Sequence, residues 1–136
     1  MKEDCIFCKL ANGVFPTNSI YEDEDFKVIL DLAPATKGHA LILPKKHADN
    51  LYELPEETAG KVFVLAKKMV ESMTEKLDCD GFNIVQNNGA IAGQTVLHFH
   101  MHLIPRYEAD AQKIAWKPQE ASAEELVAVR ELLTKE

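Results

Sequence analysis

An α+β fold, an antiparallel five-stranded sheet with one long helix and shorter terminal helices, is what this sequence predicts. Three observations carry that reading. Short β-rich runs follow one another across tight polar turns, which favours antiparallel pairing. A single apolar stripe at helical spacing runs from Pro55 to about Leu77. A third run, Leu97-His98-Phe99-His100-Met101-His102-Leu103-Ile104, alternates histidine with bulky apolar residues and holds three of the five histidines. Along a strand such alternation puts the histidines on one face and Phe99, Met101 and Leu103 on the other.

Each element has its own signals. Ile6 to Ala11 reads as a short helix stopped by Asn12-Gly13, and Phe15-Pro16 then forces extended chain. Ile20–Glu22 and Phe26–Leu30 read as strands joined by the acidic turn Asp23-Glu24-Asp25. Pro34 to Gly38 is a loop and His39–Pro44 a third strand, on which His39, Leu41 and Leu43 share a face. In the long helix Pro55 suits the first position and Glu56-Glu57 complement the dipole. Its stripe, Ala59, Val62, Phe63, Ala66, Met69, Val70, Met73 and Leu77, is expected to form core or subunit interface, with Lys67, Lys68, Glu71 and Glu75 solvated. Phe82–Gln86 is the fourth strand, Asn87–Thr95 a glycine-containing loop, and the histidine run the fifth strand. Ser122-Ala123-Glu124-Glu125 is a capping box opening a last helix over about Ala123 to Thr134. The 136 residues suit one domain, with a core over about 5–106 and a C-terminal segment and helix over 107–136.

Composition narrows the function classes. Hydrophobic residues make up 46% and charged residues 27%, the profile of a globular domain. A net charge of −7 argues against nonspecific nucleic-acid or anionic-membrane binding. No apolar run approaches a membrane span, and Met1–Cys5 lacks the form of a signal peptide, so a cytoplasmic location is expected. Three cysteines, Cys5, Cys8 and Cys79, are poor material for disulfides.

Two groups of residues carry chemistry. Cys5-Ile6-Phe7-Cys8 is open to three readings: half a zinc site, a redox pair, or two small packed residues. A zinc site needs two further ligands, for which His47 and His98 are candidates. The histidine run is the second group. Its ends lie roughly 13 Å apart on a regular strand, too far for all three imidazoles to reach one metal at about 2.1 Å. Two histidines could bind a metal, or the three could do separate work.

The run His98-Phe99-His100-Met101-His102-Leu103-Ile104 resembles the histidine triad of the HIT family, His-φ-His-φ-His-φ-φ with φ apolar. The likeness extends through Gly93-Gln94-Thr95-Val96, Asp31, Gly38-His39, Pro44-Lys45-Lys46-His47 and Cys5-Ile6-Phe7-Cys8-Lys9, in order from about Cys5 to Trp116. It is nearer the bacterial, Hint-like branch than the dinucleoside polyphosphate hydrolases. The resemblance implies a HIT-like fold, usually as a homodimer, and zinc sites of the Cys/His kind occur in some members.

It also implies roles. His100 would be the nucleophile, attacking an α-phosphate to form a nucleotidyl-histidine that water resolves. His102 would contact the phosphate and help protonate the leaving group, and His39 would orient the triad. Asn87, Gly93, Gln94, Thr95 and Val96 would lie around the phosphate, and Asp31 would hold the ribose. Ile6, Phe7, Leu10, Ile29 and Leu32 are candidates for an apolar base pocket. Trp116 would either reach a neighbouring subunit's site or pack locally. Histidine, rather than the glutamine of related uridylyltransferases, at position 102 favours hydrolysis. The implied reaction is hydrolysis of purine nucleoside phosphoramidates or related AMP conjugates, with structural zinc and no catalytic metal. The competing readings are a dinucleoside polyphosphate hydrolase, a zinc hydrolase built on His98 and His100, and a nucleotide-binding module with little turnover.

Overall fold

The structure is a computed structural model that describes residues 1–136. Its elements are α1 (Ile6–Ala11), β1 (Ser19–Glu22), β2 (Phe26–Leu30), β3 (Ala40–Pro44), α2 (Glu56–Leu77), β4 (Gly81–Val85), β5 (Met101–Arg106) and α3 (Ala123–Thr134), with a single 3-10 turn at Ala90–Ala92. Five strands form one antiparallel sheet in the order β1-β2-β3-β5-β4. Most boundaries fall within a residue of the sequence expectation because local signals fix them. Cys5 Sγ caps α1, Asp78 ends α2 in the left-handed region at φ 53°, and Ser122 Oγ accepts the Glu125 N–H at 3.1 Å.

The alternation of side chains along β2, β3 and β5 sorts the molecule into two layers. Phe26, Val28, Ala40, Ile42, Met101 and Leu103 face α2 and pack with Val62, Leu65, Ala66, Met69 and Met73. Ile29, Leu41 and Leu43 face the opposite side, where Ala11, Phe7 and Leu10 of α1 cover them. His102 pairs with Leu41 across the β3–β5 ladder, so it belongs to the α1 side. The thick core on one face thus leaves the other for a short helix and the histidines.

One expectation needs correction. The histidine run is not a continuous strand: β5 begins at Met101, and Leu97 to His100 precede it as irregular chain. The β3–β5 ladder stops at Ile42↔Met101. The Pro44 carbonyl is taken by the His98 ring at 2.9 Å, and the Phe99 N–H turns to the Ala48 carbonyl at 2.7 Å. The alternation of burial outlasts the strand, since Phe99 still enters the α2-side core. The helix stripe also shifts: Leu65 is buried, whereas Phe63 is 61% exposed beside exposed Val64. At the C-terminus, residues 111–136 are exposed throughout.

Candidate functional site

Two side-chain clusters meet on the α1 side. In the first, Cys5 and Cys8 come from the N-terminal cap and first turn of α1, His47 from the loop after β3, and His98 from the chain before β5. Their ligating atoms all lie within 4.8 Å of one another. Cys5 Sγ is 3.3 Å from His98 Nδ1, and Cys8 Sγ is 3.3 Å from His47 Nδ1 and 3.4 Å from His98 Nδ1. A tetrahedral zinc with bonds of 2.3 Å to sulfur and about 2.0–2.1 Å to nitrogen has S···N edges of roughly 3.5 Å, so the spacing suits a metal.

The far nitrogens of both rings are engaged as metal-binding histidines require. His47 Nε2 lies 2.6 Å from Asp49 Oδ1, and His98 Nε2 lies 2.9 Å from the Pro44 carbonyl. Both contacts place the proton on Nε2 and leave each Nδ1 lone pair facing the thiols. His98 is wholly buried. Burial pushes its pKa down to about 4, so the ring is a neutral ligand at ordinary pH.

The second cluster holds His39, His100, His102 and Asp31. Gly38, at φ +91°, sets up the approach to His39; a Cβ there would lie 2.6 Å from the Leu77 side chain. His39 Nε2 sits 2.9 Å from His102 Nδ1 and 3.5 Å from Asp31 Oδ2. The Asp31 N–H donates to the His39 carbonyl and its Oδ1 accepts the Ala33 N–H, which fixes the carboxylate at the mouth of the cluster. His100 and His102 rings are 5.1 Å apart, and Phe7 stands edge-on to His100 at 4.9 Å.

His100 has one ring nitrogen committed and one free. Its Nδ1 lies 2.7 Å from the His98 carbonyl, which can only accept, so Nδ1 carries the proton and Nε2 keeps its lone pair. No fully buried side-chain nitrogen lacks a partner. The unpartnered Nε2 atoms of His100 and His102 therefore both reach the accessible surface, although His100 as a residue is only 4% exposed. Burial lowers the pKa of His39, His100 and His102, the last to about 4, so these imidazoles are neutral at ordinary pH.

The loop before the histidines is braced internally. The buried Gln94 amide donates to the Asp49 and Val96 carbonyls at 2.7 and 2.9 Å and accepts the Gly89 N–H at 2.9 Å. Its polar atoms are spent on holding the loop, so it braces the site rather than offering a free ligand group. Gly93 lies at φ +100°, with Asn87 Nδ2 3.3 Å from where a Cβ would stand. The N–H groups of Thr95 and Val96 find no acceptor in the protein, which leaves two uncommitted donors in the loop that leads into the histidines.

The remaining expected residues scatter. Leu10 and buried Ile29 pack beneath α1 with Leu41 and Leu43. Ile6 is exposed, Leu32 is 90% exposed and Trp116 is 83% exposed, so none of the three is buried by the chain that carries it. Sequence reading missed Asp49, the Pro44 carbonyl and the Ala35 N–H, which donates to His39 Nδ1 at 2.9 Å. The motif His47-Ala48-Asp49 offered a signal for the first; the other two are backbone groups that no side-chain pattern announces.

Comparison with known proteins agrees with this anatomy. The HIT domain model matches residues 12–109. The protein Hit of Bacillus subtilis is 42% identical over 116 residues, covering 85% of this chain and 80% of its own. The adenosine 5'-monophosphoramidase hnt1 of Schizosaccharomyces pombe is 38% identical over 128 residues, covering 93% of each chain. The crystal structure of a zinc-bound histidine triad family protein from Mycobacterium smegmatis superposes with a TM-score of 0.78 at 38% identity, covering 98% of both chains. With its antiparallel sheet, its histidines gathered on one face and these relatives, the chain belongs to the HIT family.

Proposed function

We propose that this chain is a nucleotide hydrolase that cleaves purine nucleoside phosphoramidates or related AMP conjugates at the α-phosphate and releases AMP. The observation that carries the reading is the state of His100: Nδ1–H tied to the His98 carbonyl, Nε2 free, and the ring neutral in a buried setting. A fixed, unprotonated imidazole nitrogen at the surface is a nucleophile ready to use. The named activity of the S. pombe relative supports the substrate class.

In the first step His100 Nε2 bonds to phosphorus while the P–N bond to the leaving amine breaks. The amine takes a proton from His102 Nε2, for which His102 enters the step as the imidazolium, its second proton drawn in beside the anionic phosphate. In the second step water adds its hydroxyl to phosphorus, the P–Nε2 bond breaks, and the water's proton restores His102. The Thr95 and Val96 N–H groups are aligned in sequence to hold non-bridging oxygens, where charge builds in the transition state. Asn87 and Gly93 shape that loop, Asp31 accepts ribose hydroxyls, and Phe7 and Leu10 supply apolar surface for the base, with buried Ile29 packed behind them and Ile6 and Leu32 at its open edge.

The metal in this reading is zinc held by Cys5, Cys8, His47 and His98, supported by the donor set and by the zinc-bound mycobacterial relative. Four protein ligands leave no open position, which is the mark of a structural site. His98 and His100 do not form a metal pair, because His98 Nδ1 faces the thiols and His100 Nδ1 faces a carbonyl. A homodimer would cover Phe63, Val64 and the apolar residues of α3, and would let Trp116 meet a neighbouring site. Three free thiols suit a reducing, cytoplasmic setting. No helix is long and apolar enough to cross a membrane.

The test is rapid-quench mass spectrometry with adenosine 5'-phosphoramidate. An AMP-mass adduct on the wild-type peptide carrying His100, absent in His100→Ala, is the expected result. Binding of AMP by both proteins with turnover by neither would replace the hydrolase with a nucleotide-binding module. Turnover that survives in His100→Ala would remove the covalent route.

A further inference from the structure

We propose that a groove on the α2 side of the sheet is a second binding site, which takes a free amphipathic anion: a single acyl chain ending in a carboxylate. The groove holds about 410 Å³ between the C-terminal half of α2 and the end of β2, within the roughly 300–1,000 Å³ of small-molecule sites. Leu30, Met69, Met73 and Leu77 give it an apolar lining, and exposed Lys37 and Lys76 complete it. Met69, Met73 and Leu77 recur every fourth residue, so they follow one line along the helix for roughly 12 Å. A trough of that shape suits a medium-length acyl chain, and methionine thioethers adapt to such a chain.

The charge of the groove runs against that of the whole chain. The molecule carries −7, yet two cations and no carboxylate line this recess. Neither ammonium is neutralised from within, since the lysines paired with carboxylates are Lys45, Lys61 and Lys67. Lys76 also complements the negative end of α2, but Lys37 lies on a loop and has no such duty. That loop is held in place: the Tyr107 hydroxyl donates to the Lys37 carbonyl at 2.6 Å, and Gly38 packs against Leu77. A carboxylate on Lys37 and Lys76, with its chain over Met69 and Met73, uses both features of the groove. The ligand is a free molecule rather than a bilayer, because the net charge repels anionic membranes. The apolar floor is also recessed, with Met69 and Met73 only 8% and 7% exposed.

The groove is distinct from the histidine cluster although the two share backbone. Leu30 and Gly38 line the groove, and the residues that follow them, Asp31 and His39, belong to the cluster. No groove residue takes part in the chemistry above, so binding here stands or falls independently of the hydrolase reading.

The test is a titration of the full-length, metal-saturated protein with decanoate below its micelle concentration, followed by isotope-labelled methionine methyl signals. Met69 and Met73 should shift saturably while Met1 stays in place. Lys37→Glu combined with Lys76→Glu alters only exposed side chains and should weaken binding by at least about tenfold, an exposed ion pair being worth up to about fivefold and each reversal adding repulsion. Ser72→Phe fills the groove from a half-buried position on α2 and should abolish the shifts. Decylammonium is the sharpest control. Bulk attraction to a molecule of charge −7 favours the cation, whereas the groove should bind decanoate at least about tenfold more tightly. Equal binding of both amphiphiles, or shifts at all four methionines, would mean nonspecific partition onto apolar surface and overturn the proposal. Flotation with phosphatidylglycerol vesicles without decanoate binding would give the groove to a membrane. Absence of decanoate binding, with a changed sedimentation coefficient in Ser72→Phe, would give it to contact between copies; absence of any saturable shift overturns it outright.

Discussion

The two clusters on the α1 side use the same residue type for opposite ends. In the Cys5, Cys8, His47 and His98 group every ring nitrogen is spoken for: Nδ1 faces thiols and Nε2 faces Asp49 or the Pro44 carbonyl. In the His39, His100 and His102 group two Nε2 atoms stay free at the surface. The difference does not lie in the imidazoles. It lies in which acceptor or donor occupies the other nitrogen, and in whether chain packs over the face that remains. The clusters are joined by one residue: the His98 ring belongs to the closed group while its carbonyl orients His100 in the open one.

The largest effect should come from opening the closed cluster. Removing the metal with a strong chelator, or Cys8→Ala, should lower Tm steeply. A ligand present at a thousand times its Kd stabilises by about 4 kcal/mol, which for a domain of this size is roughly 10–15 °C. Scanning calorimetry with and without added zinc measures it. Unchanged Tm on chelation would mean the four residues are packed thiols and imidazoles, with no metal between them.

Acid should next expose the contribution of the open cluster's His102. His102 has a folded pKa of about 4, below the ordinary 6.5. Between those values the unfolded chain binds a proton that the folded chain refuses, so stability rises with pH and is lost as pH falls from about 6.5 towards 4. The full shift corresponds to about 3 kcal/mol, reduced to roughly 2 by the solvent that screens a partly exposed ring. Urea unfolding of wild type and His102→Asn across that window checks it. Acid release of metal is common to both proteins and drops out of the difference. A parallel pair of pH profiles would show that His102 titrates alike in both states.

A subtler change sharpens the comparison from the closed side. Asp49→Ala removes the acceptor for His47 Nε2 without touching any of the four proposed zinc ligands. Such outer partners typically tune metal affinity by about 10–100-fold, and competition with a chromogenic chelator should show a loss in that range. The same variant frees nothing at His100, so turnover of the metal-saturated protein should stay within a few-fold of wild type.

The sequence carried the sheet well and the site unevenly, for physical reasons. Helix stops, turn clusters and alternation are local, so Asn12-Gly13, Asp23-Glu24-Asp25 and the α2 stripe marked their elements closely. The histidine run misled because alternation reports burial rather than pairing. Phe99 is buried as a strand residue would be, yet its N–H leaves the ladder for Ala48. The Cys/His group was readable from residue chemistry, although its members lie up to 93 positions apart. Ala35 and Pro44 were not readable, since their contributions are an N–H and a carbonyl that every non-proline and every residue, respectively, possesses. Leu32 and Trp116 show the remaining limit: apolar character does not reveal which surface, on which chain, will cover it.

The smallest expected effect tests whether the open cluster's loop is shaped as finely as its rings. Gly93 holds φ +100°, a region that costs a side-chain-bearing residue roughly 1–2 kcal/mol. Alanine there would also press on Asn87 Nδ2 at 3.3 Å, a contact that Asn87 can relieve by turning its amide. Gly93→Ala should therefore lower Tm by only several degrees. It should raise KM for the phosphoramidate more than it lowers kcat, because it displaces the Thr95 and Val96 N–H groups without altering His100 or its carbonyl partner. Steady-state kinetics beside a melting curve reads both. A fall in kcat with KM unchanged would instead place the loop's contribution in the transition state, and the two free N–H groups would then belong to the chemical step rather than to binding.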